Sequence, residues 1–179
     1  GYVTTFSQEL PLISDNSEIS NAFEVIKYQK LSTTSSMIGK VSFFGKTITG
    51  LSDDVRISKR LNLPSSRLRG FQRGKVGPIE NNDYIGGNHL SSLNLSATLP
   101  NIVQGLDNLD VGIFFDAANV WGVDYDSSLD DKSTIRSSTG VALNLLTPIG
   151  PLSFSFANAL SKASSDKTET FRFNLGTQF

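Results

Sequence analysis

From Phe171 to the last residue, side chains alternate without a break. Phe171, Phe173, Leu175, Thr177 and Phe179 fall on one face and Arg172, Asn174, Gly176 and Gln178 on the other. A period of two confines this stretch to a β-strand, and such a strand has one greasy face to hide. In a soluble sandwich that face turns toward a protein core. In a membrane barrel it turns outward to lipid, while the polar face lines the interior. A row of aromatic side chains ending on Phe179 fits the barrel wall better.

The same period recurs along the chain. Candidate strands are Tyr2–Glu9, Asn21–Lys30, Ser36–Ile48, Asn88–Leu99, Leu109–Val120, Ile135–Leu146, Leu152–Leu160 and Lys167–Phe179, eight in all. Pro11, Pro64, Pro78, Pro100, Pro148 and Pro151 all lie between these runs or at their ends, where no ladder donor is lost. In the fifth run Leu109, Val111, Ile113, Phe115 and Ala117 alternate with Asp110, Gly112, Phe114, Asp116 and Ala118, so pleat parity sends Asp116 inward. It likewise sends Leu93, Leu95, Ala97 and Leu99 outward with Asn94, Ser96 and Thr98 inward. Leu152, Phe154 and Phe156 point outward, with Ser153, Ser155 and Ala157 inward. Lys27, Lys40 and Lys46 stand among apolar neighbours in the second and third runs, and parity assigns no faces there. The predicted architecture is all-β: an antiparallel up-and-down transmembrane barrel, of which this chain supplies eight strands. Apolar residues make up 38% of the chain, enough when each strand needs only one apolar face.

Connections alternate in length. Leu99–Asn108 and Leu146–Pro151 are short; Trp121–Thr134 and Ser161–Asp166 are longer and polar, the rhythm of periplasmic turns and outer loops. The exception runs from position 50 to 87, too long for a plain connection in a compact domain. Arg56, Lys59, Arg60, Arg67, Arg69, Arg73 and Lys75 are interleaved there with Gly70, Gly74 and Gly77, which predicts an ordered, tightly turning loop. As the one loop long enough to reach Asp116, it brings Arg69 to that carboxylate, and a guanidinium can grip a carboxylate in two places.

At the centre of this loop stands Leu68-Arg69-Gly70-Phe71. With Gly86-Gly87-Asn88, Asp116-Ala117-Ala118-Asn119-Val120-Trp121, Ser138-Thr139-Gly140-Val141, Pro148-Ile149-Gly150-Pro151-Leu152 and the strand to Phe179, in that order, the chain resembles the carboxy-terminal barrel of the BamA/TamA superfamily of outer-membrane assembly proteins. The Pro-x-Gly-Pro turn and final strand bring it nearer the BamA branch than TamA or the two-partner secretion transporters. The resemblance implies one domain over 1–179, the last eight strands of a larger barrel in the bacterial outer membrane, with a long loop over 50–87 folded inward. It implies that Arg69 anchors the loop to Asp116, that Gly70 takes a backbone conformation closed to other residues and that Phe71 packs beneath the loop. A second wall acid of the pattern falls at Ser96, which leaves Arg69 one anionic partner. Phe171, Phe173, Gly176 and Phe179 resemble the terminal-strand signal by which assembly machines recognise their clients. Implied partners are unfolded outer-membrane barrel clients, a missing amino-terminal barrel half, periplasmic POTRA modules, accessory assembly lipoproteins and the bilayer. The implied activity is folding and inserting barrel proteins; the alternative is a two-partner-type pore that secretes a polypeptide.

Little else carries chemistry. The chain has no cysteine and one histidine, His89 at a strand start, so neither a thiolate site nor an imidazole cluster can form. Asp124, Asp126, Asp130 and Asp131 lack the turn glycine and closing glutamate of a calcium loop. Ser138 has no general base, and no glycine-rich loop leads into a helix, so neither an enzyme nor a cofactor is expected. A formal charge of −1 without a basic stripe argues against nucleic acid. Trp121, Tyr125 and Phe179, near strand ends, suit an interface girdle. No apolar run reaches membrane-helix length, and an opening on Gly1 suggests a piece of a longer protein.

Overall fold

A computed structural model describes residues 1–11, 18–33, 36–100, 108–129, 134–148 and 150–176. The strands are β1 (Tyr2–Glu9), β2 (Glu18–Lys30), β3 (Ile38–Gly50), β4 (Ile79–Glu80), β5 (Asp83–Tyr84), β6 (His89–Pro100), β7 (Leu109–Trp121), β8 (Arg136–Thr147), β9 (Gly150–Ser161) and β10 (Phe171–Leu175). Eight form one antiparallel sheet in the order β1-β2-β3-β6-β7-β8-β9-β10, open at both ends, and β4 pairs with β5 inside the long loop. This is the up-and-down meander of half a barrel.

Register places an apolar row across the outer face: Phe171 opposite Phe156, Phe156 opposite Val141, Val141 opposite Ile113, and Ile113 opposite Ala97. Ile113, Phe156, Phe171 and Phe173 are each about half exposed, as are Phe23 and Phe43 near the other edge. Such a band is unfavourable in water and suited to hydrocarbon. The inner face differs: Asp116, Ser138 and Arg136 are fully buried.

The faces that parity left open are settled by the ladder. Lys40 pairs with Ser96 and Lys46 with Leu90, so both lysines point inward, whereas Lys27 faces Val41 on the outer side. Two strand starts also move by three residues or more. The second strand extends back to Glu18, because Glu18 pairs with Gly50 beyond the expected end of its neighbour. The last strand begins at Phe171, not Lys167, because Lys167 and its successors pair with the long loop. Phe71 forms a bridge with Thr168, and Gln72 donates its N–H to the Lys167 carbonyl at 2.9 Å.

The buried apolar cluster lies between loop and wall. Leu63, Leu68, Phe71 and Val76 from the loop meet Leu90, Ala118 and Val120 from β6 and β7. The loop therefore brings its own hydrophobic anchor to the wall. Asn81 and Asn82 turn the β4–β5 hairpin with φ of 49° and 68°, the conformation a two-residue hairpin loop demands.

Candidate functional site

The loop crosses the inner face at residues 67–71. Arg69 donates from Nε to Asp116 Oδ2 and from Nη2 to Asp116 Oδ1, each at 2.8 Å, a bidentate grip. Its backbone N–H donates to the same Oδ2 at 3.1 Å. The guanidinium lies over the Phe114 ring, 3.5 Å from the centroid. Phe114 and Asp116 are two apart on β7 and hence on one face, so the strand supplies both the aromatic platform and the counter-ion.

Asn94, opposite Asp116 on β6, donates from Nδ2 to Asp116 Oδ1 at 2.9 Å and to the Arg67 carbonyl at 2.8 Å. Arg67 in turn donates to Glu24 on β2 at 3.0 Å and covers the Phe44 ring at 3.7 Å. Among the described residues, Asp116 is the carboxylate bonded to Arg69. Ser96 lines a polar cavity of about 340 Å³ together with Glu24, Arg67 and Arg69.

Gly70 has φ of +86°, and a Cβ there would lie 3.0 Å from Ala157 Cβ and 3.4 Å from Ser138 Cβ. Backbone conformation and clearance both call for glycine. Ser138 Oγ donates to the Arg69 carbonyl at 2.5 Å, and Phe71 sits in the apolar cluster, 2% exposed. Clearance extends one layer outward. A Cβ on Gly140 would fall 2.8 Å from Phe114 Cζ and 2.0 Å from the Phe156 carbonyl oxygen, so the bare backbone there leaves room for the ring beneath Arg69.

Two further arginine–aspartate pairs fasten the outer loops. Arg136 donates from Nε and Nη2 to Asp166 at 2.9 and 3.1 Å, both side chains having no exposed surface, and from Nη1 to Asn119 Oδ1 at 2.5 Å. Arg60 pairs with Asp124, whose Oδ2 also accepts the Val55 N–H at 2.7 Å. Burial pushes the Asp124 carboxyl up, but the bonds from Val55 and Asn88 and the Arg60 charge outweigh it and leave its pKa below the ordinary 3.8. Sequence reading missed both pairs, together with Glu24. Inward parity at Asn94 and Arg136 was the available signal.

The other residues singled out in the sequence are placed as follows. Phe171 and Phe173 pack against Phe154 with centroids 6.5 and 5.2 Å apart, on the outer face. Gly176 has φ of +106° and donates its N–H to the Pro151 carbonyl at 2.9 Å. Phe179 lies outside the described residues, as do Asp130 and Asp131. His89 packs on Trp121 at 5.6 Å. Asp126 accepts from Ser128 at 2.7 Å. Tyr125 donates to Glu80 at 2.6 Å.

The family model described as the Omp85 superfamily domain matches residues 1–179. The outer membrane protein assembly factor BamA of Neisseria meningitidis serogroup B is 32% identical over 141 residues, covering 63% of this chain and 17% of the relative. That of Neorickettsia risticii is 28% identical over 117 residues, covering 64% and 16%. The crystal structure of BamA from Haemophilus ducreyi lacking POTRA domains 1–3 superposes with a TM-score of 0.87 at 26% identity, over 97% of this chain and 37% of that one. The chain thus spans about a sixth of the length of these curated relatives.

Proposed function

Since this chain belongs to the Omp85 superfamily, we propose that the protein it represents is an outer-membrane protein assembly factor of BamA type, folding and inserting β-barrel clients into the bacterial outer membrane. The observation that carries the reading is the superposition of 97% of the chain on a BamA structure with a TM-score of 0.87. On this reading Arg69, Gly70, Phe71 and Asp116 are the lumen anchor. They hold a loop that stiffens one half of the barrel. Phe171, Phe173, Gly176 and Phe179 form the terminal-strand signal, which makes the chain itself a client of such machinery. The partners are unfolded barrels, the remaining barrel strands, POTRA modules, accessory lipoproteins and lipid.

The chemistry is non-covalent. A client strand gains backbone bonds by adding to a free sheet edge, and its apolar face gains hydrocarbon on insertion. The test is reconstitution of the full-length protein into phospholipid vesicles, followed by the folded, heat-shifted fraction of a urea-denatured outer-membrane barrel. Folding accelerated well above empty vesicles, and slowed in Arg69→Ala, supports the reading. Folding no faster than in empty vesicles sinks it.

A further inference from the structure

The terminal strand is tied to the loop as well as to its neighbour in the sheet. β10 pairs with β9 along Phe171–Leu175, and on the inner side Arg172 reaches across to the loop. Its Nη1 donates to the Ser65 carbonyl at 2.8 Å and its Nη2 to the Phe71 carbonyl at 2.6 Å. Glu169 holds the guanidinium from the Nε side, and the side chain is 13% exposed. Just before β10 the backbone joins in: Glu169 N–H donates to the Gly70 carbonyl at 3.0 Å, Gln72 N–H to Lys167 at 2.9 Å, and Lys167 N–H to Lys75 at 3.1 Å. Residues 70–72 therefore lie along the approach to β10, and a turn over 72–75 brings the Lys75 carbonyl back to the same segment.

These bonds begin where the Asp116 anchor ends. Arg69 is gripped by β7, the next residue's carbonyl is gripped by Glu169, and the next carbonyl by Arg172. A loop that leaves Asp116 must carry the acceptors of Arg172 with it, and a β10 that swings away must strip donors from the loop. Arg172 suits the task because a guanidinium has separate N–H groups for two carbonyls and a carboxylate.

We infer that Arg172 is the positioning residue coupling loop docking to the barrel's terminal strand, so that the loop and β10 are released together. Reciprocity follows: whatever factor loop undocking adds to β10 opening, β10 opening adds to loop undocking. The inference concerns the barrel's own mechanics and survives or fails apart from client assembly.

The experiment is amide hydrogen exchange on the full-length protein in lipid nanodiscs. Peptides covering the loop core and β10 are followed in Arg172→Gln, Arg172→Lys and Arg69→Ala, each first checked for a heat-shifted folded band. Arg172→Gln is expected to speed exchange at least tenfold in both peptides. Arg69→Ala, which removes a grip on β7, is expected to do the same there. Arg172→Lys keeps the charge beside Glu169 but cannot bridge two carbonyls, so it falls between; it carries the test if the Gln variant fails to assemble. Faster exchange in the loop alone after Arg69→Ala, or parental exchange in β10 for whichever Arg172 variant folds, overturns the coupling.

Discussion

Removing Arg69 is the perturbation whose cost the geometry defines best. Asp116 has no exposed surface and takes two side-chain bonds at 2.8 Å from Arg69, so Arg69→Ala strands a buried carboxylate. Breaking a buried pair from one side costs about 3–5 kcal/mol. Here Asn94 and the Arg69 backbone N–H stay on the carboxylate, which places the loss near the lower end, about 3 kcal/mol. At about 1.4 kcal/mol per tenfold, the population of undocked loop rises roughly a hundredfold. The reverse lesion, Asp116→Asn, is milder, about 2 kcal/mol, because the Arg69 side chain is 22% exposed beside the polar cavity and recovers some hydration. The assay is native-state trypsin cleavage within the loop, whose Lys59, Arg67, Arg73 and Lys75 become cleavable on opening; when reclosing outpaces cleavage, the rate reports the open fraction. The double variant should cost less than the two singles summed, since each removes the same contact. A change below about threefold in Arg69→Ala, well under 1 kcal/mol, refutes the anchor argument, as does strict additivity.

Other outcomes follow from the same structure. Gly140→Ala drives a methyl into the Phe114 ring and the Phe156 carbonyl, and should lower stability to urea by about 3 kcal/mol while loosening the loop it never touches; an unaffected loop cleavage rate contradicts the stacked arrangement. Asp166→Ala leaves the fully buried Arg136 without its carboxylate, and should cost about 3–5 kcal/mol and expose the β9–β10 connection to protease; a neutral result would mean that the pair is open in solution. Asp124 has a folded-state pKa below 3.8, so its contribution is complete above that pH and lost as pH falls through the lower value. Pepsin cleavage near Val55–Arg60 should therefore rise below pH 3.8, and Asp124→Asn should flatten that dependence. Ile113→Arg places a charge on the outer face, where the cost at mid-bilayer is about 2–4 kcal/mol, whereas the lumenal Ser96→Arg should be mild; equal costs would invert the assigned faces.

Much of the fold was legible because strands obey parity. Leu109 to Ala118 alternate cleanly, and the structure turns Asp116 and Phe114 inward and Ile113 outward as the alternation requires. Parity failed on β2 and β3, where lysines occur on both faces: Lys40 and Lys46 are lumenal, and Lys27 is on the outer face. The site was half visible. Arg69 and Asp116 could be paired by reach and charge, but Arg136–Asp166 and Arg60–Asp124 join strand or loop positions 30 and 64 residues apart, and no local period encodes such a meeting. The true start of β10 was hidden for a related reason. Lys167–Glu169 looks like strand, and is paired, but with the loop.

Under the arginine loop the wall is stripped to Ser138, Gly140, Ser155 and Ala157, residues whose smallness has no bearing on strand pairing. They form a shallow mould, and Gly70 is the casting pressed into it. The size allowed at Ser138 and Ala157 is therefore dictated by Gly70, 68 and 87 residues away along the chain. A bulkier side chain at Ser138 or Ala157 would spare the sheet and evict the loop.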